Sequence, residues 1–209
     1  MQPEQKWLTL RHKIGLGMHC AATDRRAEAA RAFIAVANGY QDIRCGSSCV
    51  GELTEMLFRA LAAMQENKMV ESILRLSLLI DKIKNGERYR CCCLFAANYQ
   101  EHVLLIAGHF YLATIFDKCG MDPALGDSCR KDALAVMEGS ASSAELLDEN
   151  YLPLSNKDDM YLPRWLQSCV SYAKQRKAGE IASTVRAMDF PFEIFLLPDV
   201  TDDRDFFLL

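Results

Sequence analysis

The sequence predicts an all-α protein of stacked antiparallel helical hairpins that ends in a hydrophobic and acidic tail. Apolar residues recur at helical spacing from about residue 7 to residue 188. Short polar turns, such as Thr23-Asp24 and Asn85-Gly86, separate these periodic segments. Outside residues 190–197, no segment has the alternation of a strand. An irregular helical bundle would produce the same pattern, so both arrangements stay open.

Four amphipathic helices are predicted in the first part of the chain. The first covers residues 4–22, and an alanine-rich second helix covers residues 27–38. The third, residues 50–65, carries a core stripe at helical spacing: Leu53, Met56, Leu57, Ala60, Leu61 and Met64. The fourth, residues 69–84, is supported by its apolar positions: Val70, Ile73, Leu74, Leu76, Leu79, Ile80 and Ile83.

A long apolar run opens the next part of the chain. Residues 89–119 predict either one helix or two helices joined near Gly108. Asp122-Pro123 then indicates a helix start, because aspartate caps a helix and proline suits the first helical position. The helix that follows is predicted to end near Met137.

The remaining elements are predicted from a capping signal and from prolines. Ser142 and Glu145 have the spacing of a capping box, which predicts a new helix start. Residues 151–163 hold two prolines and a polar centre, so they predict a long loop. A last helix or helix pair is expected over residues 164–188, with one apolar face: Trp165, Leu166, Cys169, Val170 and Ala173.

Composition excludes several classes of protein and indicates a compartment. The net charge is −4, from 24 basic and 28 acidic residues, so a general electrostatic footprint for nucleic acid is absent. No window reaches 18 uninterrupted apolar residues, which predicts no membrane span. The first residues lack the apolar region of a signal peptide. Nine cysteines without such a signal predict reduced thiols, and therefore the cytoplasm or the nucleus.

The residues around the first turn follow a repeat pattern. Small and apolar positions occur in order along it: Leu16-Gly17, the turn Thr23-Asp24, Glu28-Ala29, Phe33 and Val36. This pattern resembles a tetratricopeptide repeat, in which small residues let two helices approach closely and Phe33 would fill the gap to the next hairpin. Similar positions follow about 43 residues later: Ala60, Glu66-Asn67, Glu71-Ser72, Leu76 and Leu79. A third copy would comprise Ala107-Gly108, Tyr111 and Asp132-Ala133.

The resemblance departs from the family and carries an implication. The spacing of 43 residues exceeds the usual value of about 34, and the closing proline is missing from the first two copies. If the repeats stack, the family pattern implies a concave groove that binds a peptide or a partner helix. On the first helix, the residues expected to face that groove are Arg11, Lys13 and His19.

The C-terminal residues predict a division into a helical domain, residues 1–189, and a tail, residues 190–209. In the tail, a dense apolar cluster is followed by four aspartates and then by a second apolar cluster at the end. It either docks on the last helices or binds a partner, with Phe206, Phe207 and Leu209 as anchors and the aspartates steering towards a basic surface. The spacing from Phe206 to Leu209 is similar to the acidic aromatic-x-x-leucine motifs that autophagy adaptors read.

Candidates for metal binding and catalysis lack the required spacing. Cys45 and Cys49 would provide one pair of zinc ligands, but the consecutive cysteines 91–93 point in different directions on a helix. The cysteines are therefore predicted to be packed thiols, and neither metal nor another cofactor is expected. No local signature of an activated nucleophile occurs, so the sequence predicts that the protein is not an enzyme.

The predicted function is that of a scaffold or adaptor subunit of an intracellular complex, which binds a peptide or helix of a protein partner. Two alternatives stay open. One is a self-assembling structural or viral protein, which would form homo-oligomers. The other is an all-α enzyme or small-ligand carrier with a pocket near His102 and His109, which lie seven residues apart in the long apolar run.

Overall fold

A computed structural model describes residues 3–43, 50–85 and 97–150, and these residues form helices joined by short turns. The helices are α1 (Pro3–Ala22), α2 (Arg26–Ile43), α3 (Val50–Gln65), α4 (Met69–Asn85), α5 (Ala97–Lys118) and α6 (Pro123–Asn150). The all-α prediction is confirmed for the described residues, among which no strand occurs. The predicted loop 151–163, helix 164–188 and tail 190–209 lie outside the described residues, as do Cys45, Cys49 and the cysteines 91–93.

Each helix contacts the next helix along the chain, and α3 also contacts α5. The core between them consists mainly of large, fully buried side chains: Ile14, Phe33, Leu53, Leu57, Phe58, Leu61, Leu76, Leu79, Ile106, Phe110 and Ile115. Polar contacts mark the same pairs of helices. Lys82 of α4 bonds to Glu52 of α3, and Arg130 of α6 bonds to Asp117 of α5 at 2.8 Å.

Phe33 joins three helices in the core. A Cβ atom at Gly17 of α1 would lie 2.6 Å from the Phe33 ring, so glycine is required for this close approach. The Phe33 ring also packs against Phe58 of α3, with centroids 5.9 Å apart. Tyr40 also stacks on Phe58, with ring centroids 6.2 Å apart, which extends the aromatic contact between α2 and α3.

The turns after α1, α3 and α5 share one hydrogen-bond pattern. Asp24, Asn67 and Gly120 adopt left-handed φ values of 56°, 63° and 61°. In each turn the next residue donates its N–H to the carbonyl five residues earlier, with N···O distances of 2.8, 2.9 and 3.0 Å. This is the Schellman arrangement, which satisfies carbonyls at a helix C-terminus. Only the third turn has glycine at the left-handed position.

The shared turn leads to a stability prediction. Replacing Asn67 by glycine should raise the free energy of unfolding by up to about 1 kcal/mol, because glycine adopts φ > 0 without a Cβ clash. Replacing Gly120 by alanine should lower it by about 1 kcal/mol for the same reason. Urea unfolding measures both changes. The control is Lys131→Gly in the exposed middle of α6, which should be destabilising; a loss of stability in Asn67→Gly would contradict the prediction.

Two helices run further or more continuously than the sequence predicts. Helix α2 does not end at Asn38 but continues to Ile43. Gly39 is not a terminator here, since a side chain there would overlap Leu10 of α1, and its role is close packing. The long apolar run gives one helix through Gly108 rather than two, because the missing side chain at Gly108 leaves room for Ile80 of α4.

The predicted start of α6 is confirmed, whereas its predicted end is wrong. Ala124 donates its N–H to Asp122 Oδ1 at 3.0 Å, which confirms the predicted cap before Pro123. The predicted end near Met137 and the capping box at Ser142 and Glu145 are wrong, because α6 continues to Asn150. A cap requires Ser142 to leave the helical conformation, whereas the alanine, leucine and glutamate residues around it favour continued helix.

Candidate functional site

Helix α4 carries apolar side chains on two opposite sides. One side is buried against α3 and α5 and comprises Ser72, Leu76, Leu79 and Ile80. The other side is exposed: Val70 is 73% exposed, Leu74 65% and Leu78 50%. Residues four apart lie above one another on a helix, so these three side chains form one continuous row. We call this row the α4 ridge.

The α4 ridge is short and apolar, and its nearest ionisable neighbours are acidic. It spans about 12 Å, at a helical rise of about 1.5 Å per residue. By helical position, the closest ionisable side chains are Glu71 and Asp81, both exposed. Glu71 forms a salt bridge with Arg75 at 2.8 Å. Asp81 accepts a hydrogen bond from the neutral Asn85 amide at 2.6 Å.

Covering the α4 ridge would release a useful amount of free energy. Burial of a leucine or valine side chain contributes about 1.5–3 kcal/mol, and more than half of that surface is still exposed here. The three residues together therefore offer roughly 3–5 kcal/mol to whatever covers them. Three large apolar side chains aligned on one face, rather than scattered singly, are typical of an interaction surface.

The groove residues predicted on α1 do not form a cluster. Lys13 is half-buried and His19 is exposed. They are six residues apart, which places them about 120° apart around the helix, so one ligand cannot face both directly. Arg11 lies within α1, but its side chain is outside the described set. Phe206, Phe207 and Leu209 also lie outside the described residues.

A second candidate site centres on His109 of α5. The residue is 4% exposed, and neither ring nitrogen has a hydrogen-bond partner. Its Nδ1 lies 3.8 Å from Oδ2 of Asp132 on α6, which is too long for a hydrogen bond. The same carboxylate oxygen lies 3.6 Å from Nζ of Lys84 on α4. Three helices therefore contribute charged or polar groups to one place.

The surroundings of His109 keep the imidazole neutral. Burial, reinforced by the positive charge of Lys84, lowers the pKa of His109 to about 4, and Asp132 opposes this only in part. Burial also lowers the pKa of His102, the other histidine of α5. Burial and Asp132 raise the pKa of the neighbouring Cys129 thiol, which opposes the thiolate form that nucleophilic chemistry needs. Within the described residues, no three potential ligand side chains lie close enough to hold a metal ion.

Comparisons with known proteins identify no relative of this chain, since no protein-family model, curated protein or solved structure matches it. Among the helices of residues 3–43, 50–85 and 97–150, none is long and apolar enough to cross a membrane.

The sequence contains a signal for the α4 ridge in the way apolar residues are distributed around the helix. Val70 and Leu74 belong to the same set of predicted apolar positions as the buried Leu76, Leu79 and Ile80. A helix with a single core face concentrates its apolar residues on one side. Leu74 and Leu76 lie about 160° apart around α4, so the apolar positions do not share one face. That spread is the sign of a second surface to be covered.

Proposed function

We propose that this protein is a scaffold or adaptor subunit of an intracellular complex, and that the α4 ridge binds an amphipathic helix of a protein partner. The exposure of Val70, Leu74 and Leu78 on one face is the observation that carries the proposal. A helix that offers apolar side chains at intervals of four residues can pack its row beside the ridge, crossing α4 at about 50°.

The charges beside the ridge define the chemistry of the partner helix. Asp81 carries a negative charge and is bonded to the neutral Asn85 amide, and Glu71 adds a second charge that Arg75 largely neutralises. A partner helix with basic residues beside its apolar row would complement this surface and associate faster. The ridge is small compared with a standard interface of about 800 Å² per partner, so the complex is expected to be transient.

The arrangement of the helices forms part of the proposal. We propose that α1–α2, α3–α4 and α5–α6 are three antiparallel hairpins that stack in order. The shared turns at Asp24, Asn67 and Gly120 support this, as do the contacts between successive helices. The tetratricopeptide resemblance stays a prediction, since the turns are 43 and 53 residues apart. In such a stack, α4 is the second helix of the central hairpin.

Photocrosslinking tests the proposed binding surface. With p-benzoyl-phenylalanine at position 74, irradiation in lysate of the expressing cells should yield an adduct with a basic amphipathic helix of another protein. Adding Val70→Asp and Leu78→Asp should reduce that adduct at least tenfold, because charges on the ridge oppose apolar packing.

The matched control places the same photoreactive residue at position 125. Leu125 is also an exposed leucine, 43% exposed, but it lies on α6 away from the ridge. Equal adducts at positions 74 and 125, or an adduct that the two ridge substitutions leave unchanged, would reject the α4 ridge as the binding surface.

A further inference from the structure

We infer that the chain's own segment 164–188 covers the α4 ridge in the free protein, so that a partner helix must displace it. The competition with a partner rests on the proposed function, whereas the covering itself does not. Three observations select this occupant: the small size of the ridge, the apolar face of the segment and the charges on both.

The size of the ridge favours an occupant from the same chain. Three partly exposed side chains offer roughly 300 Å² of surface, well below the 800 Å² or so that each partner buries in a stable complex. A tethered segment needs much less, because the tether gives it an effective concentration in the millimolar range. A contact that gives only a transient complex between two separate molecules is therefore sufficient within one chain.

Residues 164–188 have a face that matches the ridge. Their predicted apolar face contains rows with intervals of four residues: Trp165, Cys169 and Ala173 in one, and Leu166 and Val170 in the other. An isolated amphipathic helix in water is only marginally stable until it buries such a face. In the described residues, the α4 ridge is the row of large apolar side chains that remains exposed on a single helix.

A linker of 13 residues connects α6 to segment 164–188. Helix α6 ends at Asn150, and residues 151–163 lie between it and the segment. An extended chain gains about 3.3 Å per residue, so this linker can span about 40 Å. Helix α4 has 17 residues and is therefore about 25 Å long. The linker is therefore longer than α4 itself.

Charge distinguishes segment 164–188 from its competitors. It contains five basic residues and one acidic residue, which complements Asp81 and Glu71 beside the ridge. The tail 190–209 contains five acidic residues and one basic residue, so the same carboxylates repel it. A second copy pairing through its own α4 would bring two Asp81 carboxylates to one interface. The basic segment is the occupant that the charges favour.

The test uses the purified full chain with p-benzoyl-phenylalanine at position 74, as an equal mixture of isotopically light and heavy protein. We expect a crosslink to a peptide within 164–188, formed inside single copies and therefore without mixed light–heavy products. Adding Val170→Asp should abolish it, because a charge then lies on the apolar face. Ser171→Asp adds the same charge to the opposite face and should leave the crosslink in place.

Three results would overturn the inference. These are the absence of a crosslink to 164–188, a crosslink to residues 190–209 instead, or mixed light–heavy products that indicate a second copy. The proposed function fails separately, because it is judged from partner adducts formed in lysate. If both ideas hold, Val170→Asp should increase those partner adducts severalfold by exposing the ridge. Circular dichroism confirms that each variant keeps its helical content.

Discussion

Replacing Phe33 by alanine is expected to lower the free energy of unfolding by about 3–5 kcal/mol, the usual cost of removing a buried phenylalanine. Phe33 is 1% exposed and contacts the backbone of α1 at Gly17 and the ring of Phe58 on α3. Its removal leaves a cavity where three helices meet. Domains of this size are stable by about 5–15 kcal/mol, so the variant should lose a large share of its stability.

Urea unfolding followed by circular dichroism measures this loss, and two variants bracket it. Ile34→Ala removes a side chain from the next position, which is 36% exposed, and should cost less than about 1 kcal/mol. Phe33→Leu keeps most of the volume and should cost about 1–2 kcal/mol. If Phe33→Ala were no more destabilising than Ile34→Ala, the three-helix contact at Phe33 would be disproved.

Acid is expected to destabilise the protein through His109. The pKa of the imidazole falls from 6.5 to about 4 on folding, because burial and Lys84 disfavour its charged form. Between pH 6.5 and about 4, His109 is therefore protonated in the unfolded chain but not in the folded protein. The stability that comes from keeping His109 neutral is fully present above pH 6.5 and is lost as the pH falls towards 4. The expected loss over this window is about 3 kcal/mol, at 1.36 kcal/mol per unit of pKa difference.

The variant His109→Leu separates this effect from the titration of carboxylates. It should remove about 3 kcal/mol of the acid-dependent loss between pH 6.5 and 4. At pH 7 it should be more stable than the parent by about 1–2 kcal/mol, because two buried nitrogens without partners disappear. His19→Leu, at an exposed position, is the control and should keep the acid dependence of the parent.

An unchanged acid dependence in His109→Leu would exclude His109 as its source. A marked loss of stability at pH 7 would instead mean that the ring nitrogens bind a group that stabilises the fold. In that case, the site around His109, rather than the α4 ridge, would be the first to test for a bound ligand. Urea unfolding at a series of pH values measures the free energy of unfolding of the parent, of His109→Leu and of His19→Leu.

Local chemistry predicts the ends of several elements well. The bounds of α3 match the prediction because its apolar stripe is long and regular. The start of α6 follows from the bonding of Asp122 to the first turn. The same logic fails at Ser142, because a capping signal in the sequence can also occur within a helix. It fails at Gly39 because the reason for this glycine is Leu10, which is distant in sequence.

The candidate sites were less predictable because they depend on which neighbours a helix has. Helix α4 has apolar residues on two sides, and only the positions of α3 and α5 decide that Leu74 is left exposed. The sequence marked His109 as a possible pocket residue, but not the approach of Lys84 and Asp132 from other helices. The partner residues predicted on α1 rested on a family resemblance and stay predictions.

The succession of contacts from each helix to the next also bears on how the protein folds. Most contacts join segments that are close in sequence, which corresponds to a low contact order and hence to rapid folding. Each pair of helices can form before the following pair has been synthesised. Among the described helices, α1 packs chiefly against α2 and α6 chiefly against α5, so local opening of the native structure is expected to begin at these two outer helices. The central α3, with α2, α4 and α5 around it, should be the last part to exchange its amide protons.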